Sequence, residues 1–286
     1  MRIKMHGMTH VGCSRTVNED RFLFDAELGW MLICDGMGGH AAGDIAAELA
    51  VRHVSQRLQA QRETLWQLAT AGKAVSQVVG IAEAAVQQAC AAVYSHALQH
   101  PELRGMGTTL TLLLVSGDTG VVVHVGDSRL YLIRGTTAQV VTSDHTVESE
   151  LRRRGLVLSE GFLQSRVARM LTRCLGEHAS ASADVYILTL QPGDLLVGCS
   201  DGLSKYLADA RELSVICQQS ALESVPARLL DLAISRGGND NITVVVGGVE
   251  PNAEERVASD AGAEAPRHII VGFESTMPNA PTSPLS

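Results

Sequence analysis

The sequence lacks several features that mark common classes of protein. It contains no Cys-x-x-Cys pair and no cysteine–histidine spacing suited to zinc. It has no phosphate-binding loop of the form G-x-x-x-x-G-K-S/T, which disfavours that mode of nucleotide binding. No uninterrupted apolar run approaches the roughly 18 residues of a membrane helix, and no apolar signal-peptide core follows Arg2 and Lys4. We therefore expect a cytoplasmic protein that does not bind a membrane.

Positive charge is also scarce. The 286 residues include 31 acidic residues against 23 lysines and arginines, a net charge of -8. This balance disfavours nucleic acid as a partner, because such surfaces neutralise phosphates. Apolar residues make up 45% of the chain, which predicts a packed core in one large domain or two small ones. Six scattered cysteines are expected to be buried thiols in a reducing compartment: Cys13, Cys34, Cys90, Cys174, Cys199 and Cys217.

Hydrophobic periodicity predicts helices over antiparallel sheets, an α+β fold class. Helical spacing occurs at 45–58, 75–97, 209–218 and 221–235. Strands are predicted at 108–115, 120–125, 130–133 and 139–142 as a meander, at 185–190 and 194–199 as a hairpin around 191–193, and at 242–249. Residues 251–286 have the composition of a flexible tail, with one apolar patch at 268–273 that could dock onto the domain or a partner.

The segment 30–40 is the most informative stretch. Five apolar residues lead into Asp35, and glycines follow at once, which indicates a buried strand that ends in a tight turn opening a helix. A lone carboxylate at the rim of an apolar layer is costly, so Asp35 needs a metal, a cation or several donors. We favour a metal ion.

The same segment also fits a dinucleotide-binding pattern, G-x-G-x-x-A over 36–41. That fold requires a second strand ending in an acid about 20 residues further on. Here the helical pattern continues through Leu58, and a second long helix follows. The dinucleotide interpretation is therefore disfavoured.

Three further acids stand at strand ends. Asp127 and Asp201 follow predicted strands, and Asp240 precedes one. In an antiparallel sheet one strand ends beside the start of its neighbour, so these acids and Asp35 could share one edge. Their repulsion would require cations, and oxygen ligands suit Mg²⁺ or Mn²⁺. Such a site favours phosphoester hydrolysis with two ions about 3.5 to 4 Å apart. Asp beside Gly is also ordinary turn chemistry, and spacing alone leaves both interpretations open.

Eight ordered motifs give the sequence a clear resemblance, which covers residues 7–249. They are Arg15-x-x-Asn18-Glu19-Asp20, Asp35-Gly36-Met37-Gly38-Gly39-His40, Gly105-Met106-Gly107-Thr108-Thr109, Gly126-Asp127-Ser128-Arg129, Ser143-Asp144-His145, Leu171-Thr172-Arg173-x-Leu175-Gly176, Ser200-Asp201-Gly202-Leu203 and Gly238-Asn239-Asp240-Asn241-Ile242-Thr243. The chain resembles the metal-dependent protein Ser/Thr phosphatases of the type 2C family, in particular the bacterial members.

The resemblance implies a catalytic domain over 1–250, a four-layer α-β-β-α sandwich with a metal centre at one end. Two Mn²⁺ or Mg²⁺ ions and a third, weaker ion are expected. The implied ligands are Asp35 as the bridge between two ions, Asp201 and Asp240 on the first ion, the Gly36 carbonyl on the second, Glu19 and Asp20 on the second directly or through water, and Asp127 with Asp201 on the third. The resemblance does not decide which of Glu19 and Asp20 coordinates. Arg15 would bind the substrate phosphate, which its planar fork suits.

The implied reaction is in-line attack by a metal-bridging water or hydroxide on phosphoserine or phosphothreonine, without a phosphoenzyme. Met37 stands where many eukaryotic members carry a histidine proposed as general acid. A metal-bound water is the first candidate for the proton donor, and His40 is the second. Residues 145–170 correspond to a variable flap whose arginines either meet the substrate or lie on a solvated helix.

The expected partners are phosphorylated proteins, including a cognate Ser/Thr kinase and its targets, and the enzyme is expected to act as a monomer. The competing hypothesis is a non-catalytic module that binds phosphoproteins. Such a module would lack a metal ligand or Arg15, and neither is missing.

Overall fold

Twelve strands and eight α-helices form the part of the chain that the computed structural model describes, residues 1–38, 42–71, 75–251 and 271–274. The strands are β1 (Arg2–His10), β2 (Asp20–Asp25), β3 (Trp30–Met37), β4 (Gly107–Thr108), β5 (Leu110–Ser116), β6 (Thr119–Val125), β7 (Arg129–Arg134), β8 (Thr137–Val140), β9 (Asp184–Thr189), β10 (Leu195–Cys199), β11 (Ile242–Glu250) and β12 (Val271–Glu274). The helices are α1 (Ala42–Ala60), α2 (Arg62–Ala71), α3 (Val75–Gln99), α4 (Val147–Arg153), α5 (Glu160–Leu163), α6 (Asp201–Ser204), α7 (Ala210–Gln218) and α8 (Val225–Ser235).

The strands form two antiparallel sheets that pack face to face. One sheet has the order β1-β11-β10-β7-β8, and the other has the order β12-β9-β6-β5-β3-β2, with β4 paired to β3. Side chains alternate across each sheet, as the period of a strand requires. In β3, Met31 and Ile33 belong to the core between the sheets, whereas Trp30 and Leu32 pack in the core under the helices. The predicted α+β sandwich is confirmed.

Helices cover the outer face of each sheet. Helices α1 and α3 pack on the larger sheet and on each other through small residues such as Ala46, Ala50 and Ala85, which allow close approach. By length and composition α3 could cross a membrane. Its face from Val78 to Val93 is buried against the core, however, which is typical of the core helix of a globular protein. Helices α7 and α8 cover the smaller sheet.

The predicted hairpin of residues 185–199 is wrong. Strand β9 pairs with β6 in the larger sheet, whereas β10 pairs with β7 and β11 in the smaller one. The turn at 191–193 therefore carries the chain between sheets. It is held by Asp194, whose buried carboxylate accepts from the backbone N–H of Gln191 (2.8 Å) and pairs with Arg134 (2.6 Å). A short turn between two apolar strands has the same sequence pattern whether the strands pair with each other or belong to different sheets.

The predicted single meander over 108–142 is also wrong, for the same reason. Strands β5 and β6 form a hairpin in the larger sheet, and β7 and β8 form one in the smaller sheet. The chain changes sheets at 126–128, so the turn that carries Asp127 lies at the end of the sandwich.

The cysteines are all free thiols, but they are not all buried. Four are buried, Cys174 is partly exposed and Cys13 is exposed. The predicted flexible tail lies outside the described residues except for 251 and β12. Strand β12 overlaps the predicted apolar patch and pairs with β9 at the edge of the larger sheet.

Candidate active site

One end of the sandwich opens into a cavity of about 710 Å³, which we call the acidic cavity. Its lining comes from both sheets: Arg15, Thr16, Val17, Glu19, Asp35, Gly36, Met37, Gly38, Thr109, Asp127, Leu171, Asp201, Asp240 and Asn241. The acids predicted at strand ends thus lie together, as do Arg15, Glu19 and Gly36. Asp20 is the exception among the predicted site residues, because it lies beneath the surface with 1% of its area exposed.

The end of β3 places Asp35 at the cavity through close backbone packing. The backbone N–H of Asp35 donates to Oγ1 of Thr109 (2.9 Å), and its carbonyl accepts from the backbone N–H of Thr109 (2.8 Å). A side chain at Gly36 would overlap the carbonyl of Gly43 at the start of α1. Glycine is therefore required for strand and helix to meet there, and Asp35 has little backbone freedom.

Asp201 and Asp240 are brought together in a similar way. Asp201 begins α6, and a side chain on the next residue, Gly202, would overlap the carbonyl of Asn241. The side-chain amide of Asn241 donates to the carbonyls of Val11 and Val17 (2.9 Å each) and its oxygen accepts from the backbone N–H of Glu19 (2.8 Å). Asn241 therefore fixes the loop of Arg15 and Glu19 against the loop of Asp240.

Glu19 and Asp20 have different surroundings. Glu19 lines the cavity, and its Oε1 accepts from the backbone N–H of Gly43 (3.2 Å). Asp20 is buried behind it, where Oδ2 accepts from the hydroxyl of Ser200 (2.7 Å) and Oδ1 has no hydrogen-bond partner. Glu19 is the one that a ligand in the cavity reaches directly.

Burial and mutual repulsion raise the pKa of most of these acids. Burial, followed by the charge of Asp201, raises the pKa of Asp127 to about 7. Burial raises the pKa of Asp20 to about 6. Burial, with the charges of Asp20 and Asp201, raises the pKa of Asp35 well above its ordinary value. Burial also raises the pKa values of Glu19 and Asp201. Five acids thus show incomplete charge compensation.

Two basic side chains compensate part of this charge. Arg15 lies 2.9 Å from the carboxylate of Asp240, and Nζ of Lys205 lies 3.3 Å from Asp240 and 3.5 Å from Asp201. Burial would raise the pKa of Asp240, but Lys205 and Arg15 outweigh it and hold that pKa below its ordinary value. The predicted phosphate-binding residue therefore contacts a predicted metal ligand.

The donor set fits a divalent metal ion. All the candidate side-chain ligands are carboxylates, the ligands that Mg²⁺ and Mn²⁺ prefer. The raised pKa values and the unpartnered Oδ1 of Asp20 show negative charge and acceptor capacity that the protein leaves unused. As the side chains stand, the described part of the chain holds no group of three His, Cys, Asp or Glu residues arranged to bind an ion. Binding an ion there would require the carboxylates to turn toward it.

Two further predictions concern the proton donor and the flap. Met37 lines the cavity, whereas His40 lies outside the described residues. In the flap, Arg152 pairs with Glu148 (2.9 Å) and Arg153 with Glu150 (3.2 Å), so these two arginines are engaged within the protein.

Sequence reasoning missed the supporting side chains. It gave no role to Asn241 or Thr109, although both lie in the quoted motifs, because a hydrogen bond across 222 residues leaves no local signal. It also missed Lys205. The available signal was the spacing of Lys205 from Asp201, i and i+4, because such residues meet on one helix face.

Comparison with known proteins places this site in context. The family model described as Protein phosphatase 2C matches residues 7–230. The chain is 31% identical over 226 residues to the serine/threonine phosphatase stp of Listeria innocua, covering 79% of this chain and 86% of that protein.

Two solved structures share the fold. PppA, described as a key regulatory component of T6SS in Pseudomonas aeruginosa, superimposes with a TM-score of 0.73 at 30% identity, over 87% of this chain and 98% of that one. The catalytic domain of the serine/threonine protein phosphatase PstP, in complex with 2 manganese ions, gives a TM-score of 0.72 at 30% identity, over 87% of this chain and 99% of that one.

Proposed function

The chain belongs to the protein phosphatase 2C family and is a metal-dependent serine/threonine protein phosphatase, and from this premise we propose how its own residues perform the reaction. The observation that carries the proposal is the convergence of Asp35, Asp127, Asp201 and Asp240 from both sheets on one cavity. We assign this catalytic unit to residues 1–250.

We propose that two divalent ions, Mn²⁺ or Mg²⁺, bind in the acidic cavity. Asp35 would bridge them, Asp201 and Asp240 would hold the first, and Glu19 and the Gly36 carbonyl would hold the second. Asp127, with Asp201, would hold a third, weaker ion. When bound, the ions supply a water activated for attack on phosphorus and positive charge for the phosphate oxygens.

Asp20 has a supporting role in this scheme. Because its Oδ2 accepts from Ser200 and its side chain lies below the cavity surface, it adds negative charge beneath Asp35. Water between Asp20 and an ion would satisfy the unpartnered Oδ1.

Arg15 is the residue of this chain that binds the substrate phosphate. Its side chain is 48% exposed at the cavity and contacts Asp240. A guanidinium presents paired donors that match two phosphate oxygens, and the bond to Asp240 orients it. Met37 offers no proton, so the leaving serine or threonine oxygen takes its proton from water in the cavity.

The substrates are phosphorylated proteins. We propose that they include a cognate Ser/Thr kinase and its targets, that the enzyme works as a cytoplasmic monomer, and that nucleic acid and membranes are not partners. The similarity to PppA supports a role in controlling secretion. Comparing the phosphoproteomes of cells with and without the gene tests the proposed substrates, and an unchanged set of phosphoserine and phosphothreonine sites would contradict them.

The test of the proposed reaction is a pair of charge-removing variants. Asp35→Asn and Asp201→Asn should each reduce Mn²⁺-dependent hydrolysis of a phosphopeptide by about 10³-fold or more, because each removes a carboxylate that holds an ion. Circular dichroism should show an unchanged fold. Asp118→Asn, on the exposed turn between β5 and β6, is the matched control and should retain full activity. Near wild-type activity in either cavity variant, or full activity of the wild type in excess EDTA, would contradict the proposal.

A further inference from the structure

Beside the acidic cavity lies a second group of charged side chains that the proposed reaction does not use. We call it the buried ion network, and it consists of His145, Asp184, Arg173, Glu150 and Tyr186. The side chain of His145 is fully buried, and those of Asp184 and Arg173 are 15% and 22% exposed. Two of the quoted sequence motifs, at 143–145 and 171–176, contribute to this network but received no function.

One side of His145 holds the turn that carries Asp127. The backbone N–H of Gly126 donates to Nδ1 of His145 (3.1 Å), and the backbone N–H of His145 donates to the carbonyl of Gly126 (2.7 Å). Gly126 immediately precedes Asp127. The position of Asp127 at the cavity therefore depends on two hydrogen bonds from one buried residue.

The other side of His145 meets Asp184. Because Nδ1 accepts a hydrogen bond, we place the ring proton on Nε2, which lies 3.2 Å from Oδ2 of Asp184. Nη1 of Arg173 donates to Oδ1 of Asp184 (2.6 Å) and lies 3.3 Å from Nε2. Burial would raise the pKa of Asp184, but His145 and Arg173 outweigh it and hold that pKa well below its ordinary value. Asp184 is therefore an ionised, fully compensated anchor.

The network also reaches the helical segment beside the cavity. The backbone N–H of Thr172 donates to the carbonyl of His145 (2.8 Å), and Arg173 lies 3.5 Å from Glu150 of α4. Leu171, the residue before Thr172, lines the acidic cavity. Through these contacts His145 joins the Asp127 turn to the base of the flap.

We propose that His145 is a positioning residue: its Nδ1 fixes Asp127 for the weaker ion through Gly126, and its Nε2 fixes the flap through Asp184 and Arg173. This inference rests on the proposed function. A residue that only fills the core needs neither of these directed contacts.

The neighbouring His124 shows the difference. Its ring lies 4.9 Å from that of His145 and is equally buried, but its Nδ1 pairs with the hydroxyl of Thr111 (2.9 Å) and its Nε2 has no partner. The His124 ring also faces the backbone carbonyls of Gly126 and Ser143, but the N–H of Gly126 donates to His145. His124 therefore serves as a matched control, a histidine buried at the same depth whose ring neither accepts the Gly126 N–H nor hydrogen-bonds to Asp184.

The first test uses the wild-type protein and does not depend on activity. A long-range ¹H–¹⁵N correlation spectrum should show His145 with its proton on Nε2 and none on Nδ1. The amide of Gly126 should be protected from hydrogen exchange. A proton on Nδ1 of His145, or exchange of the Gly126 amide at the rate of an open loop, would overturn the inference whatever the enzyme's activity.

The second test separates the two sides of the ring. In His145→Asn the amide oxygen can reach the position of Nδ1, whereas in His145→Gln the longer amide can reach that of Nε2. His145→Gln should raise the Mn²⁺ concentration for half-maximal activity, and the calorimetric dissociation constant of the weakest ion, on the order of ten-fold. His145→Asn should keep the Mn²⁺ affinity within about two-fold of wild type, because its amide replaces Nδ1. Its KM for a phosphopeptide should rise several-fold, because the contact of Nε2 that fixes the flap is lost.

Folding is controlled by measuring the melting temperature of each variant and of His124→Asn. All three should melt below wild type, because each removes a buried ring. Only His145→Gln should lose affinity for the weakest ion. Equal losses in the two His145 variants, or an equal loss in His124→Asn, would overturn the inference and leave general loosening of the core as the explanation. If a His145 variant does not fold, the wild-type spectrum decides.

Discussion

Two clusters of charge lie at the same end of the sandwich, and they treat their carboxylates in opposite ways. In the acidic cavity, burial and repulsion raise the pKa of Asp35 and Asp127. In the buried ion network, His145 and Arg173 lower the pKa of Asp184 despite its burial. The carboxylates of the acidic cavity therefore require an external cation, whereas the protein's own basic side chains compensate the charge of Asp184.

This contrast indicates which cluster performs chemistry and which supports it. Buried acids that repel one another, one of them with an unpartnered oxygen, lower the stability of the fold. Their presence in the cavity therefore points to a ligand whose positive charge offsets the repulsion. A compensated carboxylate such as Asp184 holds its neighbours in place. Removing one carboxylate charge should therefore raise the stability of the metal-free protein in the acidic cavity and lower it in the buried ion network.

The largest expected effect is in the acidic cavity. Asp35→Asn should abolish Mn²⁺-dependent activity, as above, and yet unfold at higher urea concentration than wild type when both are held in EDTA. The gain should be about 1 kcal/mol, because one repelling charge is lost from a site with raised pKa values. Urea denaturation followed by fluorescence checks this. A clear loss of stability in EDTA would mean that Asp35 is already compensated, and the contrast between the clusters would fail.

The next effect is in the buried ion network. Asp184→Asn should destabilise the protein by about 3 kcal/mol, because Arg173 loses its 2.6 Å carboxylate partner in a largely buried place and keeps only the 3.5 Å contact with Glu150. Its kcat on the small substrate p-nitrophenyl phosphate should change by less than about five-fold, because no predicted ligand is altered. Urea denaturation and steady-state kinetics measure the two quantities. Inactivity without destabilisation would place Asp184 in the chemistry instead.

A smaller effect concerns Lys205, the ammonium shared by Asp201 and Asp240. Lys205→Gln should bind Mn²⁺ roughly three- to ten-fold more tightly, because a positive charge no longer competes for those carboxylates. Lys205→Arg keeps the charge and is the control, with affinity close to wild type. Calorimetric titration distinguishes them. Unchanged Mn²⁺ affinity with a raised KM for the phosphopeptide would show that Lys205 serves the substrate.

The smallest effect is a pH dependence in the buried ion network. The folded pKa of Asp184 lies below the unfolded value of about 4, so its ionised form stabilises the protein at higher pH. That contribution is complete above about pH 5 and is lost as pH falls below about 4 toward the folded pKa. The stability difference between wild type and Asp184→Asn should therefore be equal at pH 7 and 5 and smaller at pH 3. A stability difference that grows as the pH falls would show that ionised Asp184 does not stabilise the fold.

Much of the fold was accessible from the sequence, because apolar periodicity reports which face of an element is buried. Helices α1 and α3 and most strands after 107 were predicted close to their observed ranges. Strand β1 was not predicted, because only Ile3 and Met5 are buried in a segment that is otherwise polar or exposed. Sheet membership was also lost at 191–193, where the contact of Asp194 with Arg134 joins residues 60 apart and leaves no local signal.

The candidate site divides in the same way. The acids were visible because each interrupts an apolar strand at its end, and Asp35, Asp127, Asp201 and Asp240 do meet. Their supports were not visible, since the bond from Asn241 to the Glu19 loop depends on the folded geometry. The network around His145 leaves no local signal for the same reason, although His145 lies in one of the quoted motifs.

The most direct test of the account is calorimetric titration of Mn²⁺ into metal-stripped wild type and Asp35→Asn. We expect two strongly bound ions in wild type and, because Asp35 would bridge both in the proposed site, a loss of affinity of about 100-fold or more at both positions in the variant. Two ions bound by Asp35→Asn with wild-type affinity would contradict the assignment of the acidic cavity as the metal centre.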